Sequence, residues 1–271
     1  NGDCLEQMKT LPDNSVDSIV TDPPYGISFM AKKWDYDVPK VEVWKEAMRV
    51  LKPGGHALIA CGTRTQHRMV VNIEDAGFEI RDVVSWIYGS GFPKSLNIHK
   101  KDERCPEGWG TALKPACEFF TLARKPLSEK TVAANVLKWG TGGINIDGCR
   151  VEAPEGITSG GKYTSNHADD ANGEWGMKAQ GRAKEHPQGR FPANLIHDGS
   201  QEVLKLFPIA GKKSAARFFY CPKASKKDRE EGLEGFENKK AGAMTGKEYR
   251  EDRPTNHPMR KNTHPTVKPT A

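Results

Sequence analysis

The chain has 271 residues, 36% apolar and 28% charged, with 41 Lys/Arg against 35 Asp/Glu. No run approaches the roughly 18 uncharged apolar residues that a membrane-spanning helix needs, and six scattered cysteines without a CxxC pair argue against a disulfide framework or a four-thiolate zinc site. The charge is uneven: Lys205 to Ala271 hold 16 Lys/Arg against 8 Asp/Glu, and the preceding 204 residues hold 25 against 27. A soluble cytoplasmic protein is expected, without a membrane partner. The C-terminal basic excess suits a polyanion such as nucleic acid, whose phosphates reward clustered Lys/Arg through counterion release, although a solvated face would account for charge alone.

In chain order, Ser15–Thr21 predicts a buried strand that Asp22-Pro23-Pro24-Tyr25 terminates, because proline cannot continue a ladder. Val43, Trp44, Ala47, Met48 and Leu51 lie at helical spacing, and Pro53-Gly54-Gly55 predicts a turn before the apolar run His56–Cys61. Thr63–Ala76 predicts a helix closed by Gly77, Glu79–Tyr88 a strand, and Cys117–Ala123 a further strand. This alternation reads as a parallel sheet flanked by helices. After Lys125 the rhythm fails. Gly140-Thr141-Gly142-Gly143, Ser159-Gly160-Gly161 and Gly173 punctuate a polar region that keeps only short apolar pieces, so an irregular insertion is expected over 126–255.

Asp22-Pro23-Pro24-Tyr25 is the sharpest chemical signal. At the carboxyl end of a strand in an open α/β sheet, where ligands bind, a carboxylate and a rigid carbonyl can accept both hydrogens of a planar amino group. An aromatic ring beside them offers a nucleobase a stacking surface. A strand-terminating turn with a chance tyrosine is the plain alternative.

Three segments carry a family resemblance. They are Asn1–Glu6 with Leu11–Asp17 and Asp22–Tyr25, then Val50–His56, then His264-Pro265-Thr266-Val267-Lys268-Pro269. Together they resemble the S-adenosylmethionine-dependent amino-methyltransferases of DNA, the N6-adenine/N4-cytosine family, in the arrangement whose catalytic half precedes its methionine-binding half. The resemblance implies a Rossmann-like α/β methyltransferase sheet with helices on both faces and an inserted target-recognition region. The catalytic part is then 1–125, the target-recognition part 126–255, and 256–271 the return to the core.

Residue by residue, it implies that Asp22 and the Pro23 carbonyl hold the target amine, that Pro24 stiffens the corner, and that Tyr25 stacks on the extruded base. Asp3 and Cys4 match the positions that meet the cofactor's adenine, with a solvated pre-strand loop as their plain reading. Thr266 and Lys268 match those that meet its methionine end, with an extended proline-bounded linker as theirs. Lys223, Lys226, Lys227 and Arg229, following Arg217-Phe218-Phe219-Tyr220, are candidates for DNA phosphates, though the aromatics there suit a core equally well. Ser90–Ser95 is a candidate border of the base pocket or a surface turn. Cys221, His257 and His264 match no zinc spacing.

The family's Phe-x-Gly-x-Gly cofactor loop is absent, and Gly89-Ser90-Gly91 and Gly140–Gly143 read as turns. The chain begins without Met and stops at Ala271 without completing an element, so further core strands are expected beyond it. The implied cofactor is S-adenosyl-L-methionine and the implied partner double-stranded DNA, with a homodimer possible and a companion restriction enzyme undetermined. Adenine N6 is the favoured acceptor and cytosine N4 its rival. Methylation of a protein glutamine or of RNA, and a DNA-binding remnant without catalysis, are the readings from other classes.

Overall fold

The computed structural model describes residues 2–28, 33–91, 93, 95–152, 188–210, 213–221, 239–240 and 259–260. Five strands form the main sheet: β1 (Val16–Thr21), β2 (Leu51–Gly62), β3 (Glu79–Ile87), β4 (Cys117–Arg124) and β5 (Leu195–His197). They lie in the order β1-β2-β4-β3-β5. β1 pairs in parallel with β2, and β3 with β5, while β4 runs antiparallel to both of its neighbours. The sheet is therefore mixed, a correction to the all-parallel expectation. The reason is the connection: among the described residues no helix separates β3 from β4, and without a crossover helix a chain can return antiparallel. As a result the carboxyl ends of β1, β2, β3 and β5 share one rim with the amino end of β4.

Three helices are interspersed with the first three strands: α1 (Cys4–Lys9), α2 (Val41–Val50) and α3 (Gln66–Asp75). Trp44, Ala47, Met69 and Ile73 pack on the strand residues Ala57, Ile59, Cys61 and Ala123 of one sheet face, with Met8, Ile19 and Ile80 at the margin. This alternation along β2 follows from the two-residue period of a strand. Fully burying side chains such as Ile59, Met69 and Ile73 contributes about 2 kcal/mol each. On the opposite face Ala60 and Phe120 are buried, whereas Val20 at the sheet's edge is 49% exposed.

Pro53-Gly54-Gly55 is not the expected turn. α2 stops at Val50, and β2 begins directly at Leu51, carrying the three residues inside its span. The register shows how: Val16 opposes Leu51 and Ser18 opposes His56, so the intervening β2 residues bulge. The bulge is held from the side by α4 (Val132–Trp139). The Asn135 side chain, fully buried, donates from Nδ2 to the carbonyls of Pro53 and Thr141, both at 2.8 Å, and accepts from the Ser128 amide at 3.1 Å. Gly54 has φ +77°, and a Cβ there would meet Asn135 Nδ2 at 2.5 Å. Lys125 closes the other side, donating from Nζ to the Leu51 carbonyl at 2.7 Å.

α4 and β5 both lie within the region expected to be irregular. β5 is three residues long, and its partner β3 is more than a hundred residues away in sequence. Gly140, read as a turn, caps α4 in the left-handed conformation with φ +75°. α5 (Gln201–Leu204) follows β5, and two-residue ladders pair β6 (Ile209–Ala210) with β7 (Lys213–Ser214) and β8 (Lys239–Lys240) with β9 (Met259–Arg260). No helix among the described residues is long and apolar enough to cross a membrane.

Candidate functional site

β1 delivers Asp22 to the rim, where its carboxylate is exposed. Pro23 and Pro24 fix the backbone after it, since each ring locks φ, and Tyr25 turns back over β2. Tyr25 is held at both ends of its own peptide. Its amide donates to Asp35 Oδ1 at 2.7 Å, its carbonyl accepts from the Thr65 hydroxyl at 2.5 Å, and the next amide, Gly26, also donates to Asp35 Oδ1 at 2.9 Å. Asp35 is only 2% exposed. Gly26 sits at φ +67° with the backbone of Asp37 and Val38 2.9 Å from where a Cβ would be, so a side chain there would be strained and obstructed.

The Tyr25 ring lies against Gly62, where a Cβ would come within 3.1 Å of it. Its hydroxyl donates to Asp22 Oδ1 at 2.7 Å and reaches Glu118 Oε2 at 3.5 Å. Burial first, then the charge of Glu118 and the bond to Asp22, hold the phenol protonated far above its ordinary range. Glu118 stands at the amino end of β4, between Gly62 of β2 and Trp86 of β3. Tyr88, just past β3, is pushed up to about 12 by burial, with Glu118 and Cys117 adding to the effect.

Of the residues singled out from sequence, the structure brings Asp22, Pro23, Pro24 and Tyr25 together at this rim. Asp3 caps α1: its Oδ1 accepts from the Leu5 and Glu6 amides at 3.0 and 3.3 Å, and Cys4 is the first helical residue, exposed beside it. Thr266 and Lys268, and likewise Lys223, Lys226, Lys227 and Arg229, lie outside the described residues, as do His257 and His264. Of the Ser90–Ser95 segment, Phe92 and Lys94 lie outside the described residues, and Gly91 packs against the Pro115 carbonyl with no room for a Cβ. The Arg217–Tyr220 stretch divides. Phe219 packs on Phe207 with ring centroids 5.4 Å apart, while Phe218 and Tyr220 are exposed and Arg217 stacks over Phe218 at 4.3 Å.

Sequence reasoning missed Asp35, Gly62, Thr65 and Glu118. Asp35 and Thr65 serve backbone atoms, which leave no residue-type signature, and Glu118 meets its partner across 93 positions.

A family model described as DNA methylase, of the N6/N4 class, matches residues 16–271. The chain belongs to the N6/N4 DNA methylase family. Among curated relatives, this chain is 26% identical over 198 residues to the type II methyltransferase M.HindIII of Haemophilus influenzae, covering 54% of this chain and 63% of that protein. It is 39% identical over 70 residues to M.BamHI of Bacillus amyloliquefaciens, covering 22% and 16%. The chain thus spans less than two thirds of the length of the curated relatives it matches. Similar solved structures include a DNA modification methylase from Thermus thermophilus, with 24% identity, a TM-score of 0.33, and coverage of 48% of this chain and 54% of that one. They also include the cytosine-N4-specific PvuII DNA methyltransferase, with 19% identity, a TM-score of 0.34, and coverage of 49% and 51%.

Proposed function

We propose that this DNA methylase transfers a methyl group from S-adenosyl-L-methionine to an exocyclic amino nitrogen in double-stranded DNA, with adenine N6 as the acceptor. The observation that carries the reading is the exposed Asp22 carboxylate at the end of β1, in a proline-stiffened corner with Tyr25 beside it. Asp22 and the Pro23 carbonyl accept the two amine hydrogens, which favours a pyramidal nitrogen with its lone pair available for attack. Asp22 need not be a strong base, because the amine proton becomes acidic only as the methyl arrives, so orientation and charge stabilisation dominate. Tyr25, fixed through its backbone, stacks on the extruded base and offsets the few kcal/mol that extrusion costs.

When bound, S-adenosylmethionine supplies an electrophilic methyl carbon on a sulfonium. Asp3 and Cys4 suit its adenine. Both are exposed, and the side-chain hydrogen bonds of Asp3 to α1 go through Oδ1 among the described residues, so Oδ2 and the Cys4 amide offer the acceptor and donor that an adenine edge requires. Thr266 and Lys268 are proposed for its methionine carboxylate. Lys223, Lys226, Lys227 and Arg229 are proposed to meet phosphates, within a target-recognition region spanning 126–255 between a catalytic part at 1–125 and the return to the core at 256–271.

The test is nucleoside analysis of DNA from a methylation-free host expressing the protein. N6-methyladenine is expected, and its loss in Asp22→Ala with DNA affinity kept. N4-methylcytosine instead would reassign the acceptor to the rival amine, which presents the same two hydrogens. The absence of both would sink the activity.

A further inference from the structure

We propose that Glu118 is a positioning residue of this site: its carboxylate receives the Tyr25 hydroxyl when Asp22 takes hold of the target amine. The inference rests on the function proposed above for Asp22. The Tyr25 hydroxyl has one proton and two carboxylates within reach, Asp22 Oδ1 at 2.7 Å and Glu118 Oε2 at 3.5 Å. The ring cannot follow the proton. Asp35 and Thr65 pin its backbone, and Gly62 supports its face. Rotation about the bond from the ring to the hydroxyl oxygen is therefore the available motion, and it redirects the proton from one carboxylate to the other without moving a heavy atom far.

Glu118 is placed for this role by register. It lies opposite Gly62 on one side and Trp86 on the other, so the sheet itself holds it beside the tyrosine. The consequence falls on Asp22. While the hydroxyl donates to Oδ1, that oxygen is a weaker acceptor in the direction a base amine would approach, because a carboxylate oxygen has only two lone-pair directions. Once the hydroxyl turns to Glu118, the Oδ1 lone pair that served Tyr25 can accept an amine hydrogen. The proton stays on the tyrosine oxygen throughout, and no covalent bond changes. Glu118 thus acts through Tyr25 and not on the base.

The experiment is a double-mutant cycle in the full-length protein, measuring transfer of tritiated methyl from S-adenosylmethionine to unmethylated genomic DNA. Glu118→Gln keeps the shape of the side chain and removes its charge. It is expected to lower kcat about tenfold, the worth of one hydrogen bond to a charged acceptor, with KM for DNA changed by less than about twofold. In a Tyr25→Phe background, which has no hydroxyl to redirect, the same substitution is expected to cost nothing further. Glu118→Asp, which keeps the charge and withdraws it by one methylene, serves if the Gln variant does not fold, and is expected to show the same dependence on Tyr25. Equal losses in both backgrounds, or no loss in either, would overturn the role of Glu118 while leaving the proposed reaction standing. Full transfer by Asp22→Ala would overturn the role given to Asp22, and this inference with it, while the reaction itself would stand.

Discussion

Replacing Asp35 with Ala tests whether the Tyr25 corner is held from below. One buried carboxylate oxygen accepts two backbone amides, from Tyr25 at 2.7 Å and Gly26 at 2.9 Å. A hydrogen bond to a charged acceptor contributes about 1.5–3 kcal/mol, and removing the acceptor strands any donor that water cannot reach. Both amides belong to half-buried residues, so partial rehydration limits the loss, and roughly 2–4 kcal/mol is expected in total. At about 2–4 °C per kcal/mol for a domain of this size, the melting temperature falls by roughly 5–15 °C. Asp35→Asn keeps a carbonyl oxygen near the same place and should lose about half as much. Methyl transfer, assayed well below either melting point, should fall in Asp35→Ala because Tyr25 and Asp22 lose their fixed relation. Calorimetry showing the Ala variant within about 1 °C of wild type, together with undiminished transfer, would refute the claim that Asp35 supports the corner.

Asn135→Ala should destabilise the fold by about 2–4 kcal/mol, since the buried Thr141 carbonyl and the Ser128 amide lose this partner and the Pro53 carbonyl keeps only the Thr141 hydroxyl, and chemical denaturation measures it. Asn135→Asp should be no better, because it turns an oxygen toward the carbonyls of Pro53 and Thr141. Stability should decline between about pH 10 and 12: the Tyr88 phenol, raised to about 12, keeps its proton in the fold after the unfolded chain has lost it at about 10. Tyr88→Phe should lessen that decline, as followed by denaturant midpoints across the range. Neutralising Lys223, Lys226 and Lys227 together should weaken DNA binding irrespective of sequence and flatten its salt dependence, read from affinities at several ionic strengths.

Elements whose evidence is local could be read from the sequence. β1, α2, α3, β3 and β4 follow from apolar periodicity, and the Asp22–Tyr25 corner from four adjacent residues. What escaped depended on distant partners. Pro53-Gly54-Gly55 has the composition of a turn, yet Asn135 and Lys125 hold it within a strand. α1 has six residues, too few for a periodic pattern, and only its Asp3 cap marks it. β5 is a strand because β3 offers it an edge, not because three residues demand it. Glu118 is one acidic residue among 35 Asp/Glu until β4 carries it to Tyr25.

The reversed direction of β4 has an effect of its own. β3 leaves the sheet at Ile87 and β4 re-enters at Cys117 on the rim that also carries Asp22, so the 88–116 connection is a handle whose two roots are both set on that rim. A handle of this kind can lengthen at a closure cost that grows only logarithmically. A change of length there leaves the β3–β4 and β2–β4 ladders in register, since none of their paired residues lies within it.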